Sequence, residues 1–154
     1  MIKRIILLFT VAAMVSVMLL GCGSKAKNGY FEKTRWGMSI DEVNESTDRL
    51  LVTSGDSMLY TDNIEKLDIM PQGIGIPQNI VYIFGKNGLE SVTVTVEPAD
   101  NSSAVKLLKS ITKMYTEQFG KPTGDETKPQ WKTGVGSITV NAYNSNIKII
   151  YSEK

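Results

Sequence analysis

The 154-residue chain contains no histidine and a single cysteine, Cys22. Without imidazole, the usual Ser-His and Cys-His nucleophile pairs and histidine-based metal sites are excluded, and one thiol cannot supply a cluster of soft metal ligands. Nor can one cysteine close an internal disulfide, so the fold has to rest on an apolar core. A glycine-rich phosphate loop and a Gly-x-Ser-x-Gly nucleophile elbow are also missing. Neither sign of charge dominates: 17 Lys and Arg stand against 16 Asp and Glu. That balance argues against nucleic acid and against a polybasic membrane-binding surface, both of which need clustered positive charge.

The most pronounced pattern lies at the start. Lys3 and Arg4 precede an uncharged apolar run from Ile5 to Leu20, and the small Gly21 follows; these are the three parts of an export signal. As a helix the run would span roughly 24 Å, short of the roughly 30 Å hydrocarbon core, so a cleaved signal is the better reading than a permanent span. Leu19-Leu20-Gly21-Cys22 resembles the lipobox of bacterial lipoproteins. The resemblance implies that the Cys22 thiol receives a diacylglyceryl group and becomes the mature N-terminus. An ordinary secretory signal that leaves an unpaired thiol is the poorer reading. Each buried acyl CH₂ contributes about 0.8 kcal/mol, so two or three chains would hold the protein almost permanently.

Residues 1–21 then form a signal peptide, residues 22–29 a lipidated N-terminus and tether, and residues 30–154 one α+β domain. Removing the signal takes away only Lys3 and Arg4, leaving 15 basic against 16 acidic residues. Residues Gly23 to Gly29 are small and polar, the composition of a flexible linker. Seven residues reach at most about 25 Å, which keeps the domain near the bilayer. The expected location is the extracytoplasmic face of the cell membrane, or of the outer membrane where the host has one.

Beyond the tether, Ser39-Ile40-Asp41-Glu42 forms a capping box that predicts a helix to about Ser46, with Val43 and Ile40 as a narrow apolar stripe. Ser54-Gly55-Asp56 between two short apolar runs predicts a hairpin from Leu50 to Tyr60. Asp62 to Met70 is open between a helical turn and a strand, and Pro71 to Pro77 is a loop carrying Ile74 and Ile76. Asn87-Gly88 predicts a two-residue turn for a hairpin from Ile80 to Val96. That turn would pair Ile83 with Val92 and Val81 with Val94 on a core face, and send Tyr82 and Phe84 to the other side.

A second helix from about Ser102 to Phe119 has Val105, Leu107, Leu108, Ile111, Met114, Tyr115 and Phe119 within half a turn, with Lys113 and Glu117 paired outside it. Gly120 and Pro122 end it. A strand at Trp131 to Thr133 precedes a final hairpin around Asn144-Ser145, which pairs Ala142 with Ile147, Val140 with Ile149 and Ile138 with Tyr151. Together these elements predict an α+β domain with two helices packed on one face of an antiparallel β-sheet, in a loosely repeated α-β-β-β pattern.

Trp36-Gly37-Met38-Ser39-Ile40-Asp41-Glu42-Val43 resembles the helix start of small lipoproteins of the SmpA/OmlA (BamE-like) type, and Phe119-Gly120-Lys121-Pro122 resembles the Gly-x-Pro that follows a helix there and in the related β-lactamase-inhibitor-protein-like fold. The resemblance implies two helices against a three- or four-stranded sheet and a non-catalytic accessory that binds other envelope proteins. In this chain the Gly-Pro signal follows the second helix rather than the first, and the middle is longer.

Three functions fit. The first is a non-catalytic protein-interaction module of the envelope, meeting its partner through Trp36, Ile74, Ile76, Tyr82 and Phe84 and its membrane through acylated Cys22. The same five side chains have a structural alternative: Trp36 packs beside the first helix, and Tyr82 and Phe84 are sealed by residues 62–70. The second function is an envelope small-molecule or peptide binder, which requires a pocket with convergent polar groups. The third is a cofactor-free hydrolase using two of Asp56, Asp62, Glu65, Asp68 and Glu90, which form no recognisable spacing. No cofactor and no metal is expected in any of the three.

Overall fold

The computed structural model describes residues 29–47, 52–60, 77–143 and 145–154. Along these residues the chain forms α1 (Ile40–Ser46), β1 (Val52–Ser54), β2 (Ser57–Tyr60), β3 (Pro77–Gly85), β4 (Gly88–Val96), α2 (Asn101–Phe119), β5 (Gln130–Lys132), β6 (Gly136–Tyr143) and β7 (Asn146–Glu153). All seven strands join one antiparallel sheet in the order β1-β2-β3-β4-β7-β6-β5. Helices with an antiparallel sheet make the class α+β.

Both helices begin where local chemistry supplies a cap. At α1 the Glu42 N–H donates to the Ser39 hydroxyl at 3.3 Å, while the Ser39 N–H donates to the Glu42 carboxylate at 2.7 Å. This capping box satisfies two donors that a helix start otherwise leaves open. At α2 the cap is Asp100, whose carboxylate accepts from the Ser103 N–H at 2.7 Å, so the helix starts one residue earlier than expected. It stops at Gly120, where φ is +87°.

Helix α2 lies over β5, β6 and β7 and buries Ala104, Leu107, Ile111 and Tyr115. The expected stripe is turned by one position at its start: Val105 is 52% exposed and Ala104 faces inward instead. Spacings of three, four and four residues keep the inward set on one helical face.

Strand register explains the core. Tyr82, Val92, Tyr151, Ile138 and Trp131 are successive partners across β3, β4, β7, β6 and β5, and each is at least 98% buried. Ile80, Val94, Ile149 and Val140 form a parallel row, also buried. Residues two apart point to the same side, so these rows define one continuous apolar face, each large side chain contributing about 1.5–3 kcal/mol on burial. On the opposite face the partners are Val81, Thr93, Ile150, Thr139 and Gln130, partly or fully exposed.

The β6–β7 hairpin has the expected pairs: Ala142 with Ile147, Val140 with Ile149 and Ile138 with Tyr151. Strands β1 and β2 likewise turn through Gly55-Asp56, within the expected hairpin. The β3–β4 register differs from expectation. Asn87 keeps a negative φ, so the two-residue turn with positive φ at both positions does not form; Gly88 alone has positive φ, +101°. Gly85 pairs with Gly88, and the ladder then steps from Phe84 with Leu89 to Ile83 with Ser91, leaving Glu90 as a bulge. Tyr82 therefore pairs with Val92 and Ile80 with Val94. This one-residue slip reverses the faces of β3.

The segment before α1 is bound into the core. Phe31 is fully buried, its ring 5.9 Å from that of Tyr82 and 5.4 Å from that of Tyr151. Gly37 donates to the Leu89 carbonyl at 2.9 Å, and Leu89 donates to the Met38 carbonyl at 2.8 Å.

Candidate functional site

The five expected contact residues do not form one exposed patch. Tyr82 and Phe84, at 0% and 9% exposure, belong to the core, a correction that follows from the β3 reversal. Ile83 takes the outward place between them and is 40% exposed. Trp36 is half-buried: its indole donates to the Val135 carbonyl at 3.1 Å and its ring lies 5.8 Å from that of Tyr30. Cys22, Ile74 and Ile76 lie outside the described residues, as do the Asp62 to Met70 segment and the acids Asp62, Glu65 and Asp68.

The two remaining acids of the hydrolase reading are Asp56 and Glu90. Asp56 sits in the β1–β2 turn, where its backbone carbonyl accepts from the Phe84 N–H at 3.3 Å. Glu90 is the bulge residue; its carboxylate lies over Gly85, where an added Cβ would fall 1.7 Å away. Local donors hold three carboxylates at helix starts and turns below the ordinary pKa range. Glu42, Asp100 and Asp125 are all lowered, each first by a hydrogen bond: from the Ser39 backbone, the Ser103 backbone and the Thr127 side chain, respectively. Groups held anionic by local donors in this way are structural anchors for turns and helix starts. Among the described residues no set of three or more potential metal ligands comes together.

A buried polar pair lies between α2 and the sheet. The Tyr115 and Tyr151 hydroxyls hydrogen-bond to each other, and the Trp131 ring lies 5.3 Å from that of Tyr115. Burial raises the pKa of both phenols. With no route for solvent to a 98–99% buried pair, this is an internal fastening rather than a reaction centre.

An open groove forms instead on the far side of the sheet. Seven positions that alternate away from the core, Gln130 on β5, Thr139, Asn141 and Tyr143 on β6, and Asn146, Lys148 and Ile150 on β7, supply its floor. The loop after α2 supplies one wall through Asp125, Thr127 and Lys128. Its two lobes, of about 610 and 360 Å³, share Asp125, Lys128 and Asn141 and so make one trough.

That wall is stiff. One Asp125 carboxylate oxygen accepts from the Thr127 N–H at 2.8 Å, the Thr127 hydroxyl at 2.7 Å and the Lys128 N–H at 2.8 Å. The Thr127 and Pro129 carbonyls accept from Ala142 and Val140, both at 3.0 Å, which ties the loop to the edge of β6. Gly124, with φ +85°, lets the Lys128 carbonyl approach closely; a Cβ there would lie 2.4 Å from it. Tyr143 stands at one end, 76% exposed.

None of these groove residues was singled out from sequence. The signal available was the β6–β7 register itself: once Ile138, Val140, Ile147 and Ile149 face the core, Thr139, Asn141, Tyr143, Asn146 and Lys148 share the opposite face. Comparison with protein-family models, with curated proteins and with solved structures returns no match. Among the described residues, no helix is long and apolar enough to cross a membrane.

Proposed function

We propose that the chain is a lipid-anchored, extracytoplasmic binding module of the cell envelope, non-catalytic and held to its membrane through acylated Cys22. The supporting observation is the export-signal pattern ending in Leu19-Leu20-Gly21-Cys22, seven residues before Gly29. Gly29 is itself buried against Thr133, where an added Cβ would fall 2.1 Å from the Thr133 hydroxyl. A domain that begins so close to its anchor works within about 25 Å of the bilayer.

The finer architecture belongs to the same proposal. Val43 of α1 joins the cluster that α2 and the sheet bury, which favours both helices on one face. The order of elements, α1 followed by β1-β2-β3-β4 and α2 by β5-β6-β7, approximates a loose repeat with one strand more in the first half, the halves being joined through the last strand of each, β4 to β7. This arrangement is compatible with the resemblance of residues 36–43 to the BamE-like helix start, and membership of that group is part of the proposal.

With Tyr82 and Phe84 in the core, the reading as a protein-interaction module loses its central contacts, and the reading as a binder of an envelope ligand gains the groove. The test is metabolic labelling with a fatty acid, followed by membrane fractionation. The wild type is expected to label and sediment with membranes, and Cys22→Ser to do neither. A Cys22→Ser protein that stays membrane-bound overturns the anchor.

A further inference from the structure

We propose that Met38 is a modification site, oxidised at sulfur by hydroperoxides, and that its sulfoxide loosens α1 from the core. The inference goes beyond the anchor and the groove and needs neither.

The sulfur sits at the boundary between core and solvent. Met38 is half-buried with its side chain packed against the core cluster, while its Sδ accepts a hydrogen bond from the Arg35 N–H at 3.3 Å in a contact at the surface. The Met38 N–H in turn donates to the Arg35 carbonyl at 3.3 Å, so residues 35 and 38 close one turn from both sides. A thioether sulfur is a weak acceptor, and the Arg35 N–H occupies one of its two lone pairs.

The reaction is a two-electron oxidation. A lone pair of Sδ attacks the distal oxygen of the hydroperoxide, the O–O bond breaks and an S–O bond forms. The proton of the transferred oxygen passes to the departing oxygen, which leaves as water or an alcohol. Sulfur is oxidised and the peroxide reduced, with no further co-reactant. Because one lone pair faces Arg35, the oxygen arrives on the other, and one sulfoxide epimer predominates.

The position of Met38 gives this reaction a consequence. Met38 stands just before the Ser39 cap of α1 and Val43 at the fourth helical position, the two places of a hydrophobic staple, and both side chains join the same apolar cluster. Helix α1 has seven residues and buries only Val43, so the rest of its hold on the core comes from the half-buried Ile40 and from Met38. A sulfoxide turns the apolar end of Met38 into a polar, chiral group that is costly to keep against that cluster. The backbone strap stays in place, since the Met38 carbonyl accepts from the Leu89 N–H at 2.8 Å whatever the state of the sulfur. Oxidation therefore frees the helix and leaves the sheet folded. Met114 also lies half-buried against the cluster, but on a 19-residue helix that buries four other side chains, so its oxidation leaves α1 where it is.

The experiment treats the full mature protein, in detergent, with hydrogen peroxide and follows peptide mass and amide hydrogen exchange. Met38 is expected to gain one oxygen, and exchange at Val43 and Thr47 to rise roughly ten-fold while Leu107 and Ile111 of α2 keep their protection. Only one of the two epimer-specific methionine sulfoxide reductases should restore both the mass and the protection. Met38→Leu, which keeps the apolar volume without sulfur, should show no rise, and Met114→Leu should respond as wild type does. An unmodified Met38, an equal mixture of epimers, or oxidised Met38 with unchanged exchange at Val43 and Thr47 overturns the proposal. So does a rise of the same size in Met38→Leu, and, should that variant not fold, loss of the response in Met114→Leu.

Discussion

Two kinds of residue hold the interior in one arrangement: paired polar groups and glycines that no other residue can replace. The Tyr115 and Tyr151 hydroxyls satisfy each other in a site closed to water. Removing one hydroxyl leaves the other buried without that partner, a loss of about 1–3 kcal/mol, whereas removing both deletes the demand along with the supply. Tyr115→Phe and Tyr151→Phe should each lower the urea midpoint. The double variant should lie above the sum of the single losses; strict additivity would mean that the two hydroxyls do not depend on each other.

Gly88 is constrained twice, by its φ of +101° and by the Gly37 carbonyl, which a Cβ would approach to 2.3 Å. Gly55 has φ +59° but open space around it. Gly88→Ala should therefore cost clearly more than the ~1 kcal/mol of a strained but uncrowded position, the cost expected of Gly55→Ala. Equal losses in thermal unfolding would show that the approach of residues 37 and 38 to the β3–β4 turn contributes nothing.

Among the elements, α1 depends most on its first turn, because seven residues make few internal bonds and only Val43 is buried. Ser39→Ala removes the hydroxyl half of the capping box and should destabilise by about 1 kcal/mol. Hydrogen exchange at Glu42 and Val43 should rise in that variant. If those amides keep their wild-type protection, tertiary packing rather than the cap holds the helix.

The same helix was legible in the sequence because its signals are local: Ser39 and Glu42 are three residues apart and meet within one turn. The β6–β7 register was legible for a similar reason, since two rows of β-branched residues agreed with the only short loop between them. The β3–β4 hairpin was read one residue out of phase. Its strands carry large apolar side chains on both faces of β3, so alternation did not discriminate, and the bulge at Glu90 moved the register where no local signal marks it. Packing against Phe31, which arrives from 51 residues upstream, selects the Tyr82 face. The groove was not legible as a site, because it needs the loop at Asp125 brought against β6, a contact between residues with no motif in common.

At the scale of the molecule, one side of the sheet is buried among the described residues and the other is partly exposed, and the response to pH reflects that division. The acids with lowered pKa, Glu42, Asp100 and Asp125, lie at the surface and favour the folded state above the ordinary carboxylate range, a contribution that fades as pH falls through their folded values. The buried phenols act at the opposite end of the scale. Desolvation by burial is the main cause at both Tyr115 and Tyr151; their mutual hydrogen bond opposes it at Tyr115 and adds to it at Tyr151.

A folded pKa above the unfolded value of about 10 means that the unfolded chain releases these protons first. The stability they confer is complete below about pH 10 and is lost as pH rises beyond it toward the folded values. Alkaline titration should accordingly show tyrosinate absorbance in two stages. The later stage should coincide with the loss of near-ultraviolet circular dichroism, and its amplitude should fall in Tyr115→Phe and Tyr151→Phe. Phenolate formation at those two positions in a protein that keeps its near-ultraviolet spectrum would show that water reaches the pair in the folded state, and that the layer between α2 and the sheet is not sealed.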